Sequence, residues 1–349
     1  MSNNVYKVGL LGWGNGGRFF HAPFIEAVQG LELVAVATSR QQVKDQYPFV
    51  KVYDSAEELI ADPTIDLIVV ATPHRFHVQH AQAALRAGKH VVVEKPLSET
   101  VSEAIALQEQ ARDAGRLLIV FQNRRWDGDF LTVKKIIDSG VLGDIYHYES
   151  QWSLYIPKLR GVWRENPEDL GGVLYDLGSH MIDQTIHLFG IPESIYAQVE
   201  IHRPDNKVDD YFRLALKFRT GVQALLMTDL MATLTGPRFH VRGKQGAYEK
   251  FGHDPQEAAL RAGELPGGEN WGVEDPSQWG QLKITDFHGL TFDGKIATIP
   301  GDYRGFYRAV YNALEDGDSP IKLAEIIVQL RVIEAALRSA ETNTVQIFE

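Results

Sequence analysis

One stretch in the second half of the chain spaces carboxylates and imidazoles at helical intervals. A helix from about Asp176 to Phe189 would carry Asp176, His180, Asp183 and His187 on one face, at positions i, i+4, i+7 and i+11. A carboxylate one turn from an imidazole can orient the ring and stabilise its charged form, as a general base requires. The stripe could also be solvated, or an Asp and a His could share a metal ion. We favour an acid–base pair of Asp176 and His180.

A lysine stands at the end of an apolar run in the first half. The motif Glu94-Lys95-Pro96 directly follows His90–Val93. At a strand tip, a lysine can donate a hydrogen bond to a substrate hydroxyl or carbonyl, and it titrates nearer neutrality when partly desolvated. Pro96 removes a backbone donor and could hold a cis bond that aims Lys95 inward. A surface lysine before a turn fits these residues equally well.

Three glycines near the N-terminus have the spacing G-x-G-x-x-G. Gly12, Gly14 and Gly17 follow the apolar run Val8–Leu11. The pattern predicts a strand, a tight turn and a helix whose free N–H groups face a pyrophosphate. Gly12 would allow the turn, Gly14 would let the backbone approach the phosphates, and Gly17 would let helix and strand pack closely. The alternative is a glycine-rich turn that only tightens the junction.

The end of the second predicted strand indicates which dinucleotide binds. An acid there would accept hydrogen bonds from the ribose hydroxyls and favour NAD. This chain has Thr38-Ser39-Arg40 instead. A hydroxyl and a planar guanidinium suit the 2′-phosphate of NADP(H), which is therefore the predicted cofactor. The alternative is an arginine in a solvated loop.

Further candidate ligand-binding residues follow the third predicted strand. Thr72-Pro73 stands at the carboxyl end of that strand, where open α/β sheets bind ligands. His74 and His77 lie just beyond it. Either could be a solvated histidine at a helix start, and we favour that interpretation for His74.

The elements that would position these residues change character near residue 122. Before it, buried apolar runs alternate with helical patterns, which predicts a doubly wound α/β Rossmann domain over 1–122. The runs are Val8–Leu11, Leu33–Ala37, Leu67–Ala71, His90–Val93 and Leu117–Phe121. The helix candidates are Ser55–Ile60 with a capping box, Phe76–Ala87 before Gly88, and Ser98–Ala114 before Gly115.

From residue 123 to 349 the pattern predicts an α+β domain with a large, mainly antiparallel, open-faced sheet. Its predicted strands are Ile145–Trp152, Ile195–His202, Tyr211–Phe218, Val222–Asp229, Phe239–Arg242 and Tyr248–Phe251. Helices are predicted over Phe130–Ser139 and Lys322–Ala340. The segment from Gln256 to Gln278 is rich in Gly, Pro and acids and is predicted to be a long surface loop.

Composition limits the classes of partner and compartment. The 349-residue chain has a net charge of −11, which argues against a nucleic-acid partner. It has no cysteine, which excludes disulfides and zinc–thiolate sites and fits a reducing compartment. Residues 1–7 lack the features of a signal peptide, and no apolar run approaches the roughly 18 residues of a membrane helix. We expect a cytoplasmic protein with no membrane partner and no metal.

Taken together, these motifs resemble those of the Gfo/Idh/MocA oxidoreductases over nearly the whole chain. The resemblance rests on the glycine loop, Thr72-Pro73 with His77, Glu94-Lys95-Pro96 and Asp176-Leu177-Gly178-Ser179-His180. Within the family the chain is most similar to NADP-dependent members that act on scyllo-inositol. The supporting segments are Phe20-His21-Ala22-Pro23, Thr38-Ser39-Arg40, Asn123-Arg124-Arg125-Trp126-Asp127, Trp163-Arg164-Glu165 and Gly236-Pro237-Arg238.

The resemblance implies a role for each matching position. The implied catalytic residues are Lys95, Asp176 and His180. The implied cofactor-binding residues are Gly12, Gly14, Asn15, Gly17, Ser39, Arg40, Thr72, Pro73, His77 and Glu94. Arg125, Trp163 and Arg164 are candidates for contacts with substrate hydroxyls, although they could equally be interface residues.

The reaction implied is reversible interconversion of an alcohol and a ketone on a cyclic polyol of the inositol type, with the substrate between the domains. Two alternatives stay open: a sugar dehydrogenase or keto-sugar reductase, and a non-enzymatic NADP(H) sensor. Family members are commonly dimers or tetramers packed through the open sheet, so a homodimer or homotetramer is expected.

Overall fold

The computed structural model describes residues 4–40 and 42–348, and the chain forms two compact units. The first unit comprises residues up to 123 together with 257–269 and 302–327, and the remaining residues form the second. The first unit therefore takes in two later segments that the sequence assigned to the second domain. Met1, Ser2 and Asn3, which the expectation of no signal peptide included, lie outside the described residues.

The first unit is built on a six-stranded parallel sheet. Its strands are β1 (Tyr6–Leu11), β2 (Leu31–Ala37), β3 (Lys51–Tyr53), β4 (Leu67–Val70), β5 (His90–Val93) and β6 (Leu118–Val120). They lie in the order β3-β2-β1-β4-β5-β6. The strand order reverses between β1 and β4, and ligands of open α/β sheets bind at the carboxyl ends next to such a point. The predicted doubly wound Rossmann fold is confirmed.

Helices cross between these strands, and two of them begin with a polar side-chain cap. The helices are α1 (Ala22–Glu26), α2 (Val43–Gln46), α3 (Ala56–Ala61), α4 (His77–Arg86) and α5 (Val101–Asp113). The Ser55 hydroxyl accepts a hydrogen bond from the Glu58 N–H at 3.2 Å. Helix α5 begins later than predicted because Thr100 and Glu103 form the capping box that starts it. Gly88 and Gly115 follow α4 and α5 with positive φ, as their role at helix ends predicts.

The second unit is built on a nine-stranded mixed sheet. Its strands are β7 (Ile145–Gln151), β8 (Pro192–Glu200), β9 (Tyr211–Phe218), β10 (Gln223–Asp229), β11 (Phe239–Gly243), β12 (Gly246–Lys250), β13 (Gly280–Phe287), β14 (Leu290–Ile296) and β15 (Gln346–Ile347). Their order is β14-β13-β12-β11-β7-β10-β9-β8-β15, and only β7 and β10 pair in parallel. The prediction of a large, mainly antiparallel sheet is confirmed.

One face of this sheet is buried against helices. The remaining helices of the chain are α6 (Gly128–Asp138), α7 (Ser179–Phe189), α8 (Gln256–Arg261), α9 (Arg304–Asp316) and α10 (Leu323–Thr342). Alternate residues of β9 are buried: Phe212, Leu214, Leu216 and Phe218. Phe189 at the end of α7 contacts the rings of Tyr148 and Phe218, with centroids 5.3 and 5.6 Å away. Helix α7 therefore packs on the face that carries these β9 residues.

The segment from Gln256 to Gln278 is more ordered than the predicted surface loop. It begins with α8 and ends with a 3₁₀ turn over Pro276–Gln278. The buried indole of Trp271 donates a hydrogen bond to the Gln256 amide oxygen at 3.0 Å. The prediction of a long loop is wrong here because isolated buried anchors hold the segment, namely Trp271 and Glu274, whose carboxylate pairs with buried Lys250 at 2.7 Å. They leave no periodic apolar pattern in the sequence. Among the described helices, none is long and apolar enough to cross a membrane.

Candidate active site

The glycine loop follows β1 at the carboxyl edge of the first sheet. Gly12 has a φ of +100°, and a Cβ there would lie 2.6 Å from the Ala71 carbonyl oxygen. A Cβ on Gly17 would lie 2.2 Å from the Gly12 carbonyl oxygen. A Cβ on Gly14, in contrast, would meet no protein atom within 4 Å. The fold itself requires Gly12 and Gly17, whereas Gly14 leaves its backbone open to a ligand, as binding of a pyrophosphate demands.

A wide helical turn leads from this loop into α1. It spans Gly16–His21, and Asn15 precedes it with helical φ and ψ. Such π-type turns are rare and recur at functional sites. A second one, Leu174–Gly178, precedes α7 in the second unit. Each wide turn carries residues that the sequence singled out for function.

Arg40 lies beside the glycine loop. Its guanidinium Nη1 donates a hydrogen bond to the Trp13 carbonyl oxygen at 3.0 Å, and its backbone N–H bonds to the Thr38 hydroxyl at 3.1 Å. Ser39 and Arg40 are exposed at the end of β2. A cavity of about 290 Å³ opens here, lined by Trp13, Arg18, Arg40 and Gln42. The residues present fit a nicotinamide dinucleotide, because this cationic cavity adjoins the glycine loop.

The histidines after β4 are more buried than the sequence suggested. The imidazole nitrogens of His77 lie 2.8 Å from the Pro96 carbonyl oxygen and 2.9 Å from that of Thr72. Burial lowers the pKa of His77, although the two carbonyl contacts oppose this shift. The ring thus joins Thr72-Pro73 to the Glu94-Lys95-Pro96 motif.

His74 is only 5% exposed. It begins a 3₁₀ turn over His74–Phe76, and its ring centroid lies 5.3 Å from that of His77. The expectation that His74 is solvated is wrong, because the turn starts at the strand end and holds its ring against His77.

Glu94 is held by a polar chain that crosses the first unit. Its Oε1 atom lies 3.2 Å from Nε2 of His21, and Nδ1 of His21 lies 2.6 Å from the Tyr307 hydroxyl. The His21 ring is fully buried against Phe121, with centroids 4.2 Å apart. Burial raises the pKa of the Glu94 carboxyl, but the His21 hydrogen bond and the charges of His21 and Lys95 outweigh it, so the pKa is lower than usual. Glu94 is therefore an ionised carboxylate.

Glu94 also approaches the glycine loop: a Cβ on Gly16 would lie 3.0 Å from its Oε1 atom. Next to it, Lys95 is only 6% exposed, and the Lys95–Pro96 peptide bond is cis. Lys95 follows β5, and β5 pairs with β4, which in turn pairs with β1. The lysine and the glycine loop therefore stand at the same carboxyl edge of the sheet. A surface lysine, the alternative raised by the sequence, does not fit this burial.

In the second unit, Asp176 and His180 begin the helical segment as expected. Asp176 lies in the wide turn Leu174–Gly178, and His180 lies in the first turn of α7, where it is 6% exposed. The turn is anchored by Asp209, whose carboxylate accepts the Leu174 N–H at 2.7 Å. Burial raises the pKa of Asp209 to about 6 despite its backbone hydrogen bonds.

Arg164 forms an ion pair with Asp176. Its Nε atom lies 3.0 Å from Oδ2 of Asp176, and its guanidinium covers the Trp163 ring at 4.3 Å. Trp163 and Arg164 belong to a 3₁₀ turn over Trp163–Glu165. Of the three predicted substrate contacts, the structure thus brings Arg164 and Trp163 close to Asp176.

Arg125 has a different environment. Its guanidinium makes two hydrogen bonds to Asp183, at 2.8 and 2.7 Å, and Nη1 lies 3.2 Å from Nδ1 of His187. Arg125 and Asp183 are both buried. The predicted polar stripe is therefore divided into two parts. Asp176 and His180 form the first part, and Asp183 and His187 form the second part, which binds Arg125. This geometry favours a positioning role for Arg125 over direct contact with substrate.

Several residues of these clusters were not identified from the sequence. Tyr307 is 286 residues from His21, so no local pattern connects them. His21 stands in a motif that supported the family resemblance, but the sequence gave it no role. Arg18 directly follows the third glycine, and a cation at that point was an available signal. Among residues 4–40 and 42–348, no group of three or more His, Asp or Glu side chains is arranged to hold a metal ion.

Comparisons with known proteins agree with both units. The model for the oxidoreductase family, NAD-binding Rossmann fold, matches residues 6–122. The model for the oxidoreductase family, C-terminal alpha/beta domain, matches residues 134–347. The chain belongs to the Gfo/Idh/MocA oxidoreductase family. It is therefore an enzyme, an oxidoreductase that acts on CH–OH groups.

Three members show the range of relatives. The scyllo-inositol 2-dehydrogenase (NADP(+)) IolW of Bacillus subtilis strain 168 is 40% identical, covering 97% of this chain and 94% of IolW. The solved structure of the oxidoreductase YvaA from Bacillus subtilis matches with a TM-score of 0.96 and 38% identity, covering 100% of both chains. The D-glucoside 3-dehydrogenase of Escherichia coli K12 is 30% identical, over 55% of this chain and 56% of that enzyme.

Proposed function

We propose that this oxidoreductase uses NADP(H) to interconvert an alcohol and a ketone on a cyclic polyol of the inositol type. The observation that carries the proposal is the nearly buried Lys95 at the sheet edge that also bears the glycine loop. A desolvated ammonium at that edge is suited to a substrate oxygen. The inositol class is supported by 40% identity to IolW over nearly the full length of both chains.

The cofactor part of the proposal rests on the end of β2. Thr38-Ser39-Arg40 offers hydroxyls and a guanidinium where NAD-binding enzymes present an acid. A carboxylate at this point would repel a 2′-phosphate, whereas Arg40 attracts it and can bond to two of its oxygens. Gly12, Gly14 and Gly17 would hold the pyrophosphate, with Asn15 beside them, and Thr72, Pro73, His77 and Glu94 would form the nicotinamide side.

The chemistry divides between cofactor and protein. When bound, the cofactor would supply the hydride chemistry at the carbinol carbon. In the oxidation direction, His180 takes the hydroxyl proton, and Asp176 orients its imidazole and stabilises the imidazolium. Lys95 donates a hydrogen bond to the same oxygen and stabilises its developing negative charge. In reduction, His180 returns the proton.

In this proposal, Arg164 supports the role of Asp176 through their ion pair. The Arg164 guanidinium, 3.0 Å from Oδ2, fixes the position of the Asp176 carboxylate, from which it supports a charged imidazole one turn away. Trp163 packs under the same guanidinium and limits its orientations. Trp163 and Arg164 would meet substrate hydroxyls from this turn.

A second candidate substrate class is a sugar. It is favoured by the 30% identity to D-glucoside 3-dehydrogenase, although that match covers about half of each chain. Both classes present a secondary hydroxyl on a six-membered ring, so the same acid–base residues would serve either.

A panel of substrates tests the proposal. Purified protein is incubated with inositol isomers, keto-inositols and hexoses, each with NADP⁺ or NADPH and with NAD⁺ or NADH, and absorbance is followed at 340 nm. We expect turnover with an inositol or its ketone and NADP(H). Higher kcat/KM for a hexose would replace the polyol by a sugar, and preference for NAD(H) would refute the cofactor assignment.

The oligomeric state remains a prediction. We propose a homodimer or homotetramer formed through the outer face of the nine-stranded sheet, opposite α7, where Ala215, Leu225 and Met227 of β9 and β10 are only partly buried. Light scattering coupled to gel filtration would measure the mass of the particle, and a 39.1 kDa monomer would refute the proposal.

A further inference from the structure

We propose that Arg18 binds the 2′-phosphate of NADP(H) together with Arg40, and so helps to set the preference for NADP(H) over NAD(H). The inference deepens the proposed function and rests on it for the identity of the cofactor. The sequence assigned the 2′-phosphate to Ser39 and Arg40 alone. The structure adds a second guanidinium, from the helical turn that follows the glycine loop.

The first observation is that both arginines border one cavity. Arg18 and Arg40 line the same space of about 290 Å³, with Trp13 and Gln42 as the other lining residues. That volume is at the lower limit for ligand pockets and suits one part of a large ligand. Arg40 reaches it from the end of β2, and Arg18 from the turn Gly16–His21. The two strands involved, β1 and β2, are neighbours in register from Gly9 opposite Ala35 to Leu11 opposite Ala37.

The second observation concerns charge. Among the residues that the structure describes, no carboxylate forms an ion pair with Arg18 or Arg40. The Arg18 Cζ atom lies 5.0 Å from the centroid of the Phe19 ring. Arg40 donates one guanidinium N–H to the Trp13 carbonyl oxygen. Two guanidiniums around one small space, in a chain of net charge −11, leave a concentrated positive charge that a dianion compensates. A phosphate monoester has a charge between about −1.5 and −2 at pH 7.

The third observation fixes the position relative to the rest of the cofactor. The Arg40 guanidinium is bonded to the carbonyl oxygen of Trp13, the residue between Gly12 and Gly14. The Arg18 N–H bonds to the Gly14 carbonyl oxygen at 2.9 Å. The Arg40 side chain and the Arg18 backbone are therefore both anchored to the loop that would hold the pyrophosphate. In a dinucleotide the 2′-phosphate is separated from the pyrophosphate only by the adenosine ribose, so a cationic site next to the loop is where it belongs.

The test measures binding, so it does not depend on a known substrate. Dissociation constants for NADPH, NADH and adenosine 2′,5′-bisphosphate are measured by calorimetry for the wild type, R18Q, R40Q and R112Q. Arg112 is a control that loses the same charge, since its side chain is 72% exposed on α5 and pairs with Asp113. Thermal unfolding of each variant shows that it is folded.

We expect R18Q to weaken NADPH and adenosine 2′,5′-bisphosphate by about 10- to 100-fold, the range for a hydrogen bond to a charged group. Its affinity for NADH should change by no more than about twofold, and R112Q should match the wild type. Equal weakening of NADPH and NADH would overturn the inference, because Arg18 would then bind the pyrophosphate common to both. Unchanged NADPH affinity in R18Q would also overturn it.

These outcomes separate the inference from the proposed function. If the wild type prefers NADPH and only R40Q abolishes the preference, the role of Arg18 is refuted and the cofactor assignment stands. If the wild type binds NADH as tightly as NADPH, the cofactor assignment fails and the role of Arg18 fails with it.

Discussion

The buried His21 ring lies 3.2 Å from the Glu94 carboxylate through Nε2 and 2.6 Å from the Tyr307 hydroxyl through Nδ1. An ionised carboxylate can only accept hydrogen bonds, so Nε2–H of His21 donates to Glu94, and Nδ1 shares a hydrogen bond with the Tyr307 hydroxyl. Burial and the charge of Glu94 raise the pKa of Tyr307 well above its usual value, so its proton stays in place. The hydrogen bonds from Tyr307 through His21 thus hold the Glu94 carboxylate beside Lys95 and against Gly16, at the start of the wide turn Gly16–His21.

Replacing Tyr307 by Phe should destabilise the first unit. The substitution leaves a ring nitrogen of His21 buried without its hydrogen-bond partner, which costs about 1–3 kcal/mol of unfolding free energy. Urea denaturation followed by fluorescence measures the loss. The control is Y311F on the same helix, whose hydroxyl contacts the Asn4 carbonyl oxygen at 3.5 Å near the surface. Equal stability of Y307F and Y311F would show that the hydroxyl does not hold His21.

Alanine substitutions should separate the glycines by their role. In G17A the new Cβ would overlap the Gly12 carbonyl oxygen, so we expect a loss of about 1–3 kcal/mol in the free energy of unfolding. In G14A the Cβ meets no protein atom, so the protein should fold normally while NADPH binding weakens. Thermal unfolding and NADPH fluorescence titration check both effects. Wild-type affinity in G14A would argue against a pyrophosphate at this loop.

Removal of the Arg125 side chain should lower the free energy of unfolding more than it weakens substrate binding. Breaking a buried ion pair leaves Asp183 uncompensated, which costs about 3–5 kcal/mol. The control is K244A, which removes an exposed cation paired with the exposed Asp144 and should cost under about 1 kcal/mol. If R125A keeps its stability but raises KM, Arg125 contacts substrate, as the sequence suggested.

Asp254 should make stability depend on pH. Burial, then the charge of Asp129, raise the pKa of Asp254 to about 6 from an ordinary 3.8. Between these values the folded state binds more protons than the unfolded state, so the free energy of unfolding falls as pH rises from about 4 to about 6, and then levels off. The change is about 3 kcal/mol. Asp209, whose pKa is also raised to about 6, contributes in the same range, so D254N should lose only the share due to Asp254, whereas D144N, on the exposed Asp144, should keep both shares. Parallel curves for D254N and wild type would contradict the prediction.

The sequence predicted elements wherever one physical signal dominated. Continuous apolar runs marked β1, β4 and β5 because parallel strands are covered on both faces, and alternation marked β9 because one of its faces is buried. Strand β14 carries mostly exposed residues and lacks that alternation, and β13 alternates only over its first half, from Gly280 to Lys283, so both were missed. Strand β3 has three residues, too few for a period to show.

The candidate site was predictable where its residues end strands. The glycine loop, Thr72 and Lys95 come together because the carboxyl ends of parallel strands share one edge. Helical spacing placed Asp183 on a polar face, but spacing cannot distinguish solvent from a partner 58 residues away, so the pairing with Arg125 was not foreseen. The contact of His21 with Tyr307 likewise depends on packing between distant segments.

The measurement that tests the central claim most directly compares wild type and K95A on the inositol that the wild type turns over fastest with NADP⁺. NADPH formation at 340 nm gives kcat, and fluorescence titration gives the NADPH dissociation constant. We predict that K95A lowers kcat by about 100-fold or more while the dissociation constant changes by less than about twofold. Equal turnover of wild type and K95A would contradict the account.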